Sequence, residues 1–300
     1  MKNSFANRDV LSGVIFALLA AVGFSVKAIL VKLAYLDGVD AVTLLALRMA
    51  FSVPFFIGVA LWIQRQHAEP LNTHDRLLVL GLGLVGYYLS SFLDFLGLQY
   101  ISAGLERLIL FLYPTMTVIL SALIYKRAIG KKVIAAMALS YAGIALVFLH
   151  DAGAKQGGIM LGAMLVFAST LSYSIYLVGA GHAIARIGTA RFTAYAMIVA
   201  SVASLLQFGV TRPLSALDLP FCVYELSMAI FSTVLPVFLL SYAIRCIGSG
   251  SASLIGSIGP VSTIYLAYLF LNESISLLQI LGSTLVLVGV LVISLNSNRA

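Results

Sequence analysis

Apolar runs of about twenty residues recur along the whole chain, separated by short polar punctuation, and no other feature constrains the fold as strongly. Lipid hydrocarbon holds no water to satisfy peptide N–H and C=O groups, so runs of this length cross a bilayer as helices. Candidate spans fall at roughly 11–35, 41–64, 76–99, 102–125, 131–149, 157–180, 191–210, 219–245, 251–271 and 277–295. The composition agrees with this reading. The 300 residues are 61% hydrophobic and only 10% charged, with a mean hydropathy of +1.07. Soluble chains carry roughly 45–50% apolar and about 25% charged residues. A soluble fold of this length lacks the interior to hide so much apolar surface. The expected class is an all-α integral membrane protein with ten transmembrane helices. The first stretch has no A-x-A cleavage pattern and is too long for a signal-peptide core, so it reads as a retained span.

Several function classes drop out. The net charge of +7 is spread over short inter-span segments rather than one basic stripe, so nucleic acid is not an expected partner. Cys222 and Cys246 stand near opposite ends of one span, about 36 Å apart at helical rise, too far to bridge. No CxxC and no Cys/His cluster is present, and His67, His74, His150 and His182 lie in loops or at span ends, so neither a metal nor a cofactor is expected. No Walker motif points to ATP, and no HExxH or GxSxG pattern points to an enzyme.

Lys and Arg set an orientation. With the N-terminus in the cytoplasm, twelve fall on the inner side and only Lys32, Lys155 and Arg212 on the outer side, while Lys27, Arg48 and Arg107 lie within spans. This bias places both termini in the cytoplasm, in a multi-pass protein of the cell inner membrane. The chain also repeats itself. Pro114 and Pro260 are 146 residues apart, as are Gly143 and Gly289; Gly13 and Phe24-Ser25 match Gly162 and Tyr173-Ser174 at an offset of 149. Two five-span halves follow, 1–150 and 151–300. Five is odd, so the second half enters the membrane inverted, a recurrent transporter design with its site near the midplane.

These features resemble the EamA type of the drug/metabolite transporter superfamily. The resemblance rests on length, span number, the two halves, and the segment LIGSIGPVSTIYLAYLFLNE (254–273) followed by a glycine-bearing last helix. The first-half counterpart matches at Pro114 and Gly143 but carries Arg127 where Glu273 stands in the second half. Arg48 matches a frequent family arginine, and the tryptophan often found in spans one and six is replaced by the Phe24 and Tyr173 regions. The resemblance implies secondary transport, often export, of amino acids or related metabolites.

Ionisable groups inside spans cost about 2.5–3.5 kcal/mol each on insertion scales and so invite a functional account. Lys27, Arg48, Asp94, Glu106 and Arg107 qualify, all in the first half. Lys27 or Arg48 can meet a substrate carboxylate, and Asp94 an amine or a coupling proton. An internal ion pair between Lys27 and Asp94 that fixes helix register is the alternative. Glu106 and Arg107 read as a local pair at the outer rim of span four. Mid-span prolines and small residues mark where backbone opens, so Pro114 and the stretch from Gly256 to Pro260 read as cavity wall or hinge, while Gly282 and Gly289 read as packing contacts. Tyr87, Tyr88, Tyr113, Tyr173, Tyr176 and Tyr242 fall inside spans, where a tyrosine hydroxyl needs a partner, and several of them are expected at a polar cavity. The expected substrate site is therefore Lys27, Arg48, Tyr88, Asp94, Tyr113, Pro114, Tyr173, Gly256 and Pro260. The expected function is secondary active transport of small metabolites by alternating access. A channel or lipid-handling protein and an integral-membrane enzyme are the other readings, and proton coupling and a homodimer are further expectations.

Overall fold

The computed structural model describes residues 2–66, 70–126, 128–153, 157–213 and 225–297. His67, Arg127, Lys155 and Cys222, named above, lie outside them. The described residues form ten helical stretches: α1 (Lys2–Leu36), α2 (Ala41–Arg65), α3 (Thr73–Leu98), α4 (Ala103–Tyr125), α5 (Lys131–Gly153), α6 (Ile159–Ile187), α7 (Thr189–Thr211), α8 (225–256), α9 (Gly259–Leu271) and α10 (Leu277–Ser297). No strand occurs among them. Seven helices are long and apolar enough to cross a membrane, and Glu225–Leu240, Gly259–Leu271 and Leu277–Ile293 are shorter apolar segments. Large apolar side chains such as Leu123, Leu206 and Phe270 are exposed, as lipid-facing residues must be.

Local chemistry explains the helix ends. Asp40 caps α2 by accepting from the backbone N–H of Val42 and Thr43, and Asn72 caps α3 through Asp75 N–H. Burial pushes the Asp40 carboxyl up, but bonds from Arg212, Thr43 and those backbone amides outweigh it and hold the group below its ordinary range. Two helices are interrupted. α4 breaks at Phe111–Leu112 and α8 ends at Ser257–Ile258, and each time the chain resumes with a proline in its first turn, Pro114 or Pro260. Proline at that position lacks only an N–H that no helical carbonyl would accept. These two prolines therefore start new helices and do not remove a donor from the middle of one, which corrects the expectation from sequence.

The repeat is written into the contacts. Ser25 Oγ donates to Gly259 O at 3.0 Å, and Ser174 Oγ donates to Tyr113 O at 3.2 Å. Gly13 packs on Cys246 and Ile247 as Gly162 packs on Tyr100 and Ile101. Lys126 and Asn272 end their helices in left-handed conformation at φ 52° and 53°. A π-helical segment interrupts α3 at Leu84–Leu89 and α8 at Met228–Val234. α5 and α10 close on one another through glycines: a Cβ on Gly143 would strike Gly282 O, and one on Gly289 would strike Ala136 O and Ser140.

One boundary differs from expectation. Helical backbone runs unbroken from Leu235 to Gly256 across the expected gap between spans eight and nine. Pro236 faces Gly23 and Ile247 faces Gly13, yet Gly259 is back beside Ser25, so the chain reverses between Ile247 and Gly259.

Candidate functional site

Three helices deliver charged groups to one point. Asp94 lies four residues before the end of α3, Glu106 lies three residues into α4, and Lys27 reaches them from α1. Lys27 Nζ is 2.5 Å from Asp94 Oδ2 and 3.2 Å from Glu106 Oε1. Glu106 has no solvent exposure, and Asp94 Oδ1 and Glu106 Oε2 are buried with no hydrogen-bond donor among the described residues. The rim pair expected between Glu106 and Arg107 does not form. Successive helix residues diverge by about 100°, so Glu106 turns inward to Lys27 while Arg107 points elsewhere. Its guanidinium packs against Gly259, where an added Cβ would come within 2.9 Å of a guanidinium nitrogen.

The Lys27–Asp94 pair forms one wall of a cavity of about 410 Å³. Arg48 and Arg107 add two further cations to the lining. Arg48 donates to Ser91 Oγ at 2.9 Å, and its guanidinium carbon lies 4.9 Å from the centroid of the Phe95 ring. The Nε of each arginine is buried without a partner among the described residues. Ser90, Ser91, Ser169, Thr170, Ser232 and Thr233 also line the space, set among apolar side chains that make up most of its surface. Both π segments contribute, through Gly86 and Tyr87 on α3 and through Ser232 and Thr233 on α8. π segments displace side chains from the helical register, and here they turn polar groups of both halves inward.

Tyr87, Tyr113 and Tyr173 add an aromatic part to the lining. Tyr87 and Tyr176 share a hydrogen bond at 2.9 Å, Tyr113 meets Tyr173 edge-on at 5.7 Å, and Tyr173 stacks on Tyr176 at 5.5 Å. Among the described residues, no group of three or more His, Cys, Asp or Glu gathers to hold a metal.

Of the residues singled out from sequence, Lys27, Arg48, Asp94, Tyr113, Tyr173 and Gly256 line the cavity. Tyr88 does not; it stacks on Phe92 at 6.2 Å. Pro114 and Pro260 lie just beyond the lining, at the restarts of α4 and α9. Arg107, read from sequence as a rim residue, and Tyr87, one of the in-span tyrosines left off the expected site, both line the cavity, and sequence reasoning missed the six hydroxyls. Serine and threonine inside spans were their only signal, and such residues as often bond their own helix, as Ser140 does to Ala136 O at 3.1 Å.

Both halves of the chain, residues 11–149 and 160–295, match the EamA-like transporter family. The uncharacterized transporter YcbK of Bacillus subtilis (strain 168) is 31% identical over 283 residues, covering 92% of this chain and 90% of its own. The uncharacterized transporter sll1319 of Synechocystis sp. is 26% identical over 302 residues, with 92% and 91% coverage. One solved crystal structure shares the fold at a TM-score of 0.62 over 99% of this chain and 98% of its own, with 17% identity. With the family found in each half, and with a relative this similar over nearly the full length of both chains, the protein belongs to the EamA-like transporter family.

Proposed function

We propose that this protein is a secondary active transporter that exports small zwitterionic metabolites, amino acids or related compounds, across the cell inner membrane. In this reading ten crossings form two inverted halves, 1–150 and 151–300, with both termini in the cytoplasm. One observation carries the proposal: a cavity of about 410 Å³ is walled by Lys27, Asp94, Arg48 and Arg107, and several of their polar atoms are left without partners. Buried charge of this kind is costly unless it is matched, and a zwitterion supplies the matching groups. Its ammonium displaces Lys27 from Asp94 or Glu106, while its carboxylate takes the open donor of Arg48 or Arg107. Asp94 takes a proton when the ammonium leaves, which would couple flux to a pH gradient.

The contacts at the chain's loops support the inverted arrangement. Asp40 pairs with Arg212 at 3.1 Å, Ser102 donates to Asp151 at 2.7 Å, and Glu273 accepts from Ala103 N–H at 3.0 Å. Asp75 pairs with Arg186 at 3.0 Å. Each of these contacts joins segments that the arrangement assigns to the same membrane face. The test is counterflow of labelled amino acids in proteoliposomes, with and without a pH gradient. Saturable exchange is expected from the parent, with a loss of tenfold or more in Lys27→Ala. Asp94→Asn is expected to lose its response to pH. Undiminished, pH-responsive exchange in both variants would overturn the site assignment.

A further inference from the structure

Glu225 stands apart from every charged group described so far. It has no solvent exposure, and neither carboxyl oxygen makes a hydrogen bond among the described residues. It lies at the start of the described part of α8, three residues before the π segment Met228–Val234 that lends Ser232 and Thr233 to the cavity. The α8 π segment packs on α1 and α2. The titratable groups on those helices that interact with Glu225 are Tyr35 on α1 and Arg48 on α2. Tyr35 spends its hydroxyl proton on Phe95 O at 2.6 Å, and Arg48 gives one nitrogen to Ser91 at 2.9 Å. Lys27 is occupied by Asp94 and Glu106, and Lys32 interacts with Glu273, Glu106 and Asp151. Among the described residues, no cation lies within ion-pairing distance of Glu225.

An ionised carboxylate with no bond and no paired cation does not persist in a dry interior, because losing its hydration costs far more than holding a proton. Asp94 is the contrasting case: also buried, but held by an ammonium at 2.5 Å. We infer that Glu225 is a proton-binding site of this transporter, neutral in the conformation described here, and that Arg48 becomes its counter-ion when the proton leaves. In that step the Glu225 O–H bond breaks and the proton passes to water admitted from the cavity. Arg48, whose Nε is unpartnered, then swings from Ser91 to the new carboxylate. Arg48 lines the cavity, so its movement changes the charge that a substrate meets. The use of this proton in coupling rests on the transport reading above, whereas the protonation itself does not.

Infrared difference spectroscopy on the full chain in lipid reads the protonation without any substrate. The parent minus Glu225→Gln spectrum at neutral pH is expected to contain the carbonyl band of a protonated carboxyl, shifted in D2O. Glu225→Asp, which keeps the acid group, is expected to displace that band, and Asp94→Asn to leave it in place. As pH rises the band should fade, at a higher pH in Arg48→Met than in the parent. A difference spectrum with carboxylate bands at neutral pH, or with no carboxyl band, would overturn the assignment, as would a band unmoved in Glu225→Asp. Fading at the same pH in Arg48→Met would remove Arg48 as the counter-ion. Failed counterflow together with a positive band would sink the transport reading and leave the proton site standing.

Discussion

Lys27 carries one positive charge and holds two buried carboxylates, so its removal leaves both without an ammonium. Breaking a buried pair from one side costs about 3–5 kcal/mol, because the surviving charge is stranded. Lys27→Met is therefore expected to lower the unfolding temperature in detergent sharply, and Lys27→Met/Asp94→Asn/Glu106→Gln to regain most of the loss. A triple variant no more stable than the single one would show that Lys27 acts through packing of its stem. At this scale the sequence was half legible. The intrusion of Lys27, Asp94 and Glu106 into apolar spans was plain, since insertion cost is a property of each residue. Which of them meet was not, because Glu106 and Arg107 are neighbours in the chain whose side chains leave the helix in different directions.

At the scale of the element, the helices close on one another wherever a hydrogen atom replaces a side chain. Gly282 on α10 sits so near the Gly143 carbonyl on α5 that even a methyl group forces the pair apart. Gly282→Ala is expected to cost about 1–3 kcal/mol, as overpacking does. Gly58→Ala, in α2, meets no atom within 4 Å and should be neutral or gain up to about 1 kcal/mol from helix propensity. Thermal unfolding of the two variants in one detergent checks the contrast. The packing role of Gly282 and Gly289 was readable from the chain, because small residues are what lets two helix backbones approach in lipid. The π segments were not readable, since no residue type demands that extra hydrogen-bond register.

For the whole molecule, the pairs Asp40–Arg212 and Asp75–Arg186 mark opposite ends. In a cysteine-free background, Arg212→Cys is expected to react with a membrane-impermeant maleimide in intact cells, and Arg186→Cys only after the membrane is opened. The reverse pattern would invert the orientation. The sequence by itself determined that the chain is helical, that it belongs in a membrane and that it is made of two related halves. Those conclusions follow from hydropathy, from backbone hydrogen bonding in lipid and from fixed spacings, all of which are local or countable. Only the tertiary structure decided that Lys27 serves two acids, that Arg107 joins Arg48 at the cavity, and that Glu225 is buried without a partner among the described residues. The physical reason is the rotation of each helix about its own axis. In a span apolar around its whole circumference, no polar stripe fixes that angle, and packing against the neighbouring helices sets it.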